Sequence, residues 1–567
     1  MNDLLLLRRT WPWIRPEARW WGLALIAAPL ATALGLVQPI LLMRIVDGPI
    51  TNGDPDLARW LAALWFCAVL TSFAAESAYM ASLARGAFGT ISRIREYLYH
   101  HILSRPPAWH DHEPSGRNLS RVTSDIEALG ETLTMGAITL VLDVLVIAGT
   151  LVTMLVLDAR LTGLLLLIAP PLIAVVELSR RRMRLLFQDI RTLLADLTSH
   201  LAERLAGLEV VQGYGDQGRA QSRYDSMLRL YLRANHVNNW WEAVLFSVVD
   251  GAAAVAMALL LAGAAGLPEG ITAGLLAAFI DLVGRLFTPI RELSGKVTAL
   301  QRAGAAMEKI VVVLDVPIGF QQAGLQPPRD FKTLVLDDLH FAYDTGEDVL
   351  RGVSLTVKKG EVVALVGRTG SGKTSVTRLV AQAYEGYRGS LKLDGVEARD
   401  ANTAAWRELV GVVHQDAQLY PGTVRDNLSM GAPLSDDTLS TAIAQSLASD
   451  VVTRLGGLDG RVSAGGANLS VGEGQLLSLA RALAHNRPIL VLDEATASVD
   501  PATEARIAEA TEVVMKGRTV IVVAHRLGTI TGADRIAVME AGRVVESGRH
   551  AELVARGGAY AQAWASK

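Results

Sequence analysis

Six stretches of this chain are apolar for long enough to cross a membrane, and no other feature limits the fold as much. They lie near residues 21–46, 58–84, 135–157, 160–178, 244–265 and 271–293. A hydrocarbon core ~30 Å thick takes about 20 residues at a helical rise of ~1.5 Å each. In lipid the backbone must satisfy its own polar groups, so runs of this length are expected as helices. The fourth is short if Arg180 marks its end. Half of the 567 residues are hydrophobic, which suits a chain that is membrane-bound over half its length. The net charge of −3 gives no basic footprint for a nucleic acid, and no such partner is expected. The single cysteine, Cys67, excludes an internal disulfide and a cysteine-rich metal site. The Arg-rich start is not closed by a small-residue cleavage site, so no cleaved signal peptide is expected.

The connections between these stretches alternate in length and charge. Loops near 47–57, 157–160 and 264–271 are short and almost free of basic residues, whereas segments 85–134 and 179–243 are long. The latter carry Arg85, Arg93, Arg95, Arg105, Arg117 and Arg121, then a run from Arg180 to Arg184 and on to Arg233. Excess Arg and Lys mark the cytoplasmic side, so the long segments and both chain ends are expected there, on a multi-pass protein of the cytoplasmic (inner) membrane. Helical spacing continues through them, as in Ile190, Leu193, Leu194, Leu197, Leu201 and Leu205. Roughly 25 residues down and 25 back would reach ~35 Å into the cytoplasm. Turn formers break each segment, at Glu113-Pro114-Ser115-Gly116 and at Gly213-Tyr214-Gly215-Asp216. Short helices at these tips, near 109–121 and 208–219, would suit docking onto a soluble domain. Asp143, Asp250, Asp281 and Arg285 lie at membrane depth, where charge is costly. Asp281 and Arg285 are four apart and can pair, either lining a pathway or fixing helix packing.

Near residue 318 the composition changes to a mixed α/β pattern. A membrane domain 1–318, a linker 319–333 and an α/β P-loop domain 334–567 are expected. The last domain is organised by Gly367-Arg368-Thr369-Gly370-Ser371-Gly372-Lys373-Thr374, a G-x-x-x-x-G-K-[ST] motif. An apolar run, Val362 to Val366, precedes it as a buried strand would, and Ser375 to Ala383 can continue as a helix. In that context backbone N–H groups cradle phosphates, Lys373 neutralises the β- and γ-phosphates, and the Thr374 hydroxyl ligates Mg²⁺. The strand Ile489 to Leu492 ends in Asp493-Glu494. Beside a P-loop, Asp493 would hold Mg²⁺ and Glu494 would orient or deprotonate the attacking water. Tyr343 could stack on an adenine ring, and His525, after the strand Val520 to Ala524, could reach the γ-phosphate side.

Lys373, Gln415, Leu469-Ser470-Val471-Gly472-Glu473, Asp493-Glu494, Asp500 and His525 stand in the order found in an ABC-transporter nucleotide-binding domain, which this region resembles. The resemblance implies an ATP- and Mg²⁺-binding site in which Gly367 to Ser375 hold the phosphates and Tyr343 is the A-loop aromatic. It implies that Gln415 is the Q-loop residue near metal and water, and that Asp500 belongs to the D-loop. Ser470 and Gly472 would close on the ATP of a partner domain. Six spans followed by this domain resemble a type IV exporter half. Asn468 to Glu473 and Gly284 to Ile290 are similar to subunits of the MdlB and LmrD type, which work as heterodimers. Three departures stand out: Glu473 where glutamine is usual, no glutamate within Val462 to Gly466, and a D-loop reading Ala497-Ser498-Val499-Asp500. The function expected from the resemblance is ATP-driven export of an amphipathic small molecule, lipid or peptide through lipid-embedded helices. A second half-transporter would complete it, a heterodimer being favoured and a homodimer open. An exporter-fold importer, of metal chelates for example, and an ATP-gated channel or regulator are the alternatives.

Overall fold

The computed structural model describes residues 11–135, 137–266, 271–316, 324–343, 346–493, 501–524 and 530–565. They form two compact units: Met1–Ile102 with Gly116–Val316, and Leu103–Ser115 with Pro317–Lys567. Composition alone places residues 103–115 in the N-terminal half; in the structure they group with the C-terminal one.

In the first unit, six helices are long and apolar enough to span a membrane: Trp11–Ile50, Pro55–Leu103, Ser115–Leu157, Ala159–Ala206, Gln217–Gly263 and Ala273–Ile290. They run on past the apolar windows because helical periodicity does not stop where hydropathy does. The helix Gln217–Gly266 has 50 residues, about 75 Å at the α-helical rise. Met154, Leu161, Val249, Leu260, Phe279, Leu282 and Val283 are almost wholly buried in one cluster. Ala24, Ala27 and Ala28 recur at helical spacing and pack on Tyr79 and Leu83. Small residues of this kind let membrane helices approach closely. Leu25, Ile26, Phe66 and Phe73 are exposed, as lipid-facing side chains should be.

Two helix starts are tied down by side chains. Asp158 accepts the N–H groups of Arg160 and Leu161. Thr272 caps the last helix by accepting from Leu275 N–H, and Asp47, at the end of the first span, accepts Gly274 N–H at 2.7 Å and the Thr272 hydroxyl. A Cβ at Gly274 would stand 2.4 Å from the Met43 carbonyl oxygen, so only glycine allows this approach.

Three of the charged groups at membrane depth, Asp143, Asp281 and Arg285, are paired. Arg285 Nε donates to Asp281 at 2.9 Å, and its Nη2 reaches Gln38 Oε1 at 3.0 Å. Asp143 accepts from Lys296 Nζ at 2.6 Å, and Glu292 holds the same ammonium at 2.9 Å. Nothing in the sequence marks Lys296 as that partner, since it lies 153 positions from Asp143 and past the expected end of the span.

The second unit holds β1 (Thr333–Phe341), β2 (Leu350–Lys358), β3 (Val362–Val366), β4 (Arg388–Leu393), β5 (Val396–Glu397), β6 (Val410–Val413), β7 (Gly422–Thr423), β8 (Arg461–Val462), β9 (Ile489–Asp493), β10 (Thr519–Val523), β11 (Arg535–Glu540) and β12 (Arg543–Gly548). The main sheet has the order β12-β11-β3-β10-β9-β6, parallel except for the edge strand β12. β3, β9 and β10 are continuous apolar runs, buried almost throughout, as parallel strands covered on both faces must be. A smaller antiparallel sheet, β2-β1-β4-β5, packs on it through Phe331, Leu334, Leu355 and Trp406.

The Asp281–Arg285 pair is partly exposed, so Asp281→Asn should cost only about 1 kcal/mol, below the range for a fully buried pair. The expected readout is a lowered thermal midpoint in detergent, recovered by exchanging the two residues. An unchanged midpoint would show that the pair does not support the helix bundle.

Candidate functional site

The C-terminal ends of the parallel strands all point to one edge of the sheet, where ligand crevices form in open α/β folds. β3 leaves that edge into Gly367–Gly372, and Lys373–Val380 follows as a helix. Gly370 and Gly372 have φ of 82° and 99°, conformations that L side chains avoid. A Cβ on Gly372 would meet Leu350 at 2.7 Å, and one on Gly367 would stand 2.2 Å from the Met539 carbonyl oxygen. Lys373, 6% exposed, folds back over the loop and donates to the Gly367 and Arg368 carbonyls at 2.8 and 2.9 Å. Ser371 Oγ is buried with no hydrogen-bond partner among the described residues. An orphaned hydroxyl and a retracted ammonium inside a glycine loop fit a phosphate group that would take both. Arg368, Thr369 and Thr374 are exposed around them.

Strand register then brings in the acidic side. Leu365 of β3 pairs with Val523 of β10, and Val523 pairs with Asp493 of β9. Asp493 is therefore two strand spacings, roughly 10 Å, from the strand that carries the loop. Gln415 and Asp493 line one small recess of about 40 Å³ together with Gln475 and Thr511. Glu494, Asp500 and His525 lie outside the described residues. No three His, Cys, Asp or Glu side chains gather into a metal site among the described residues. A second, larger cavity of about 840 Å³ borders Gly367 to Ser371 and is also lined by Tyr560 and Trp564 of the C-terminal helix. No motif in the sequence signals that lining.

Tyr343 Oη bonds Ser375 Oγ at 2.9 Å, and its ring meets Tyr384 edge-on at 5.0 Å. Tyr384 Oη donates to Asp111, which also receives Arg378 Nη1 at 3.0 Å. Ala108 N–H adds a bond to the Ala383 carbonyl. The short helix Pro107–His112 is thus linked through Tyr384 and Tyr343, by three contacts, to the residue that follows Thr374. Burial first, and the Asp111 carboxylate second, push the Tyr384 phenol up to about 12, so it remains a donor across the physiological range.

Ser470 begins the helix Val471–His485. Its Oγ accepts Glu473 N–H at 3.2 Å, and Glu473 Oε2 accepts Ser470 N–H at 2.8 Å, a reciprocal capping box. Arg454 holds the other carboxylate oxygen at 2.7 Å. Burial acts to raise the Glu473 carboxyl, but the Ser470 N–H and Arg454 outweigh it and hold the group below its usual range. Either Glu or Gln can fill this capping position, and a negative charge is favoured in the first turn of a helix. The departure at Glu473 therefore keeps the helix start intact. Gly472 is buried, while Ser470 and Val471 are exposed at the helix start.

Residues 21–290 match the family described as the ABC transporter transmembrane region, and residues 350–497 match the ABC transporter family. The chain belongs to the ABC transporter family. It is 33% identical to an ATP-dependent lipid A-core flippase of Chromobacterium violaceum over 96% of this chain and 94% of that protein. It is 35% identical to a fatty acid ABC transporter ATP-binding/permease protein of Mycobacterium bovis over 83% of this chain and 76% of that protein. In fold it is similar to a bacterial Atm1-family ABC exporter solved with ATP bound, with a TM-score of 0.78, 24% identity and coverage of 97% and 98% of the two chains. The expected fold class, a six-span helical domain followed by an α/β P-loop ATPase domain, is the one found. An ABC transporter domain binds ATP, and a half-transporter fold of this kind implies dimerisation. The six candidate spans make this a multi-pass membrane protein.

Two outcomes check this geometry. Tyr384→Phe removes a charge-assisted bond worth roughly 1.5 kcal/mol, so amide exchange across 107–112 in the full chain should rise about tenfold, and Asp111→Asn, which also loses the Arg378 pair, should raise it at least as much. The double variant should rise no further than Asp111→Asn alone, because the Tyr384 bond is shared; additive effects would show that the two residues act separately. Glu473→Ala should cost about 1 kcal/mol through loss of the cap, read as faster exchange in the first turn of Val471–His485. Glu473→Gln should lose only the charge. Because the folded carboxyl titrates below its unfolded value, the charge stabilises above the usual carboxylate range, and that share is lost on acidification through the lower folded value. Wild type and Glu473→Gln should therefore differ near neutral pH and converge in acid.

Proposed function

We propose that the protein is one half of an ATP-driven exporter that moves amphipathic molecules across the cytoplasmic membrane by alternating access. The observation that carries this reading is the joining, on one chain, of six membrane-spanning helices to an ATPase unit with a phosphate-ready P-loop. In this reading Gly367 to Ser375 and Lys373 hold the phosphates, Tyr343 stacks on the base, and Thr374, Gln415 and Asp493 hold Mg²⁺. Magnesium is usually bound by one or two carboxylates together with substrate phosphates, which suits a site with Asp493 as its described acid. Glu494 and His525 serve the attacking water and the γ-phosphate, and Asp500, Ser470 and Gly472 act across the dimer interface. ATP would supply the energy of closure, and helices such as Pro107–His112 would carry it toward the membrane. The long Arg-rich segments and both chain ends face the cytoplasm.

The partner is a second half-transporter, with a heterodimer favoured. This chain keeps Lys373, Asp493, Glu494 and His525 but carries Glu473 in its signature. It would then supply the Walker side to the faster site, while its own Leu469 to Glu473 would cap the slower one. The relatives named for lipid A-core and fatty acid transport support an amphipathic substrate.

Glu494→Gln should reduce steady-state ATP turnover of the assembled transporter by roughly 10²–10⁴-fold while ATP still binds, because the water loses its base. Unchanged turnover would remove Glu494 from the site. Chain expressed alone should be weakly active and be rescued by a co-expressed second half. A fully active two-fold dimer of this chain would replace the heterodimer by a homodimer.

A further inference from the structure

Among the described residues, the ionisable groups in the bundle are not all neutralised. Arg285 and Asp281, with Gln38, form a balanced group. The Lys296 group differs. Its ammonium lies between Asp143 at 2.6 Å and Glu292 at 2.9 Å, so among the described residues two carboxylates and one ammonium leave a net negative charge. The Lys296 and Asp143 side chains are 14% and 15% exposed, whereas Glu292 is 56% exposed. The surplus charge is therefore on the open side of the cluster.

A second observation is independent of these ion pairs. Tyr79 is only 8% exposed, yet its Oη has no hydrogen-bond partner among the described residues. It lies within electrostatic reach of both Lys296 and Asp143. A buried phenol hydroxyl left unmade is costly, and natural structures usually keep such a group for something that binds. Tyr79 shares a hydrophobic cluster with Ala24, Ala27, Ala28 and Leu83, on which Trp21 and Leu142 also pack, so the polar group adjoins an apolar surface. The four polar residues come from three helices, Pro55–Leu103, Ala137–Leu157 and Ala273–Asp315, and they converge near the span ends that adjoin the Arg-rich segments.

We infer that Tyr79, Asp143, Glu292 and Lys296 form a recognition site for an amphipathic organic cation; this rests on the export reading and names its substrate class. An incoming cation brings the cluster to neutrality, taking Glu292 as counter-ion and the Tyr79 hydroxyl as a polar contact. An anionic amphiphile would add a like charge beside a lysine already shared by two carboxylates. A fatty acid anion is the opposed choice, and the two separate by experiment.

The probe is tetraphenylphosphonium, titrated against the full chain in detergent without nucleotide, with oleate as the anionic comparator. Wild type should bind the cation and prefer it to oleate. Glu292→Gln, which leaves the Lys296–Asp143 pair in place, should weaken cation binding about fivefold, the scale of one partly exposed charge contact. Glu292→Lys should abolish it and shift preference toward oleate, and Tyr79→Phe should give a smaller loss with the ring retained. No cation binding, preference of the wild type for oleate, or an affinity indifferent to both Glu292 substitutions would overturn the inference. Failure of binding in protein that still hydrolyses ATP when assembled removes this site alone. Absence of hydrolysis in every assembled sample would instead remove the transport reading.

Discussion

The structure depends on how a glycine loop handles one buried ammonium. Lys373 is held by the carbonyls of Gly367 and Arg368, within a loop that could not close if either Gly367 or Gly372 carried a Cβ. Burying an ammonium is expensive unless it is bonded. The loop supplies those bonds while leaving the Ser371 hydroxyl unmatched, and so keeps a polar cradle ready for an anion. The parallel sheet fixes everything else around this loop. Register through Leu365, Val523 and Asp493 sets the acidic group at a defined distance, and the helix after Gly372 carries Ser375 to Tyr343.

What could be read from the sequence follows from how local each interaction is. The P-loop is contiguous, and its strand–loop–helix context shows in the apolar pattern on either side. The spans were legible because lipid permits little besides apolar helices. The Glu473 cap was legible in principle, since Ser470 and Glu473 stand at capping-box spacing, although their relation to Arg454, 19 positions away, was not. Contacts between distant segments left no trace. Asp111 and Tyr384 are 273 positions apart, and nothing near Asp111 marks it as more than a polar residue at a helix tip. Lys296 was hidden for a related reason: its ammonium is compensated by Asp143 on another helix, so hydropathy places it outside the span.

Two kinds of polar device recur in the two units. In the membrane unit, charges are paired between helices and fix their packing, as Asp47 does for Thr272 and Gly274. In the ATPase unit, side chains tie loops to helix starts, as Glu473 and Ser470 do. The Lys296 cluster belongs to the first kind by geometry but departs from it in charge, since among the described residues it holds two carboxylates and one ammonium. In the reading proposed above, that imbalance would connect the membrane unit to a class of cargo.

The central claim is that ATP at the Lys373 loop drives movement through the six-helix unit. It is tested most directly by ATP-dependent accumulation of tetraphenylphosphonium in inside-out vesicles containing the assembled transporter. The account predicts accumulation that requires ATP and disappears with Lys373→Ala. Accumulation that persists in Lys373→Ala would contradict the account, whereas none under ATP in vesicles whose wild-type protein hydrolyses it would remove the cation site alone.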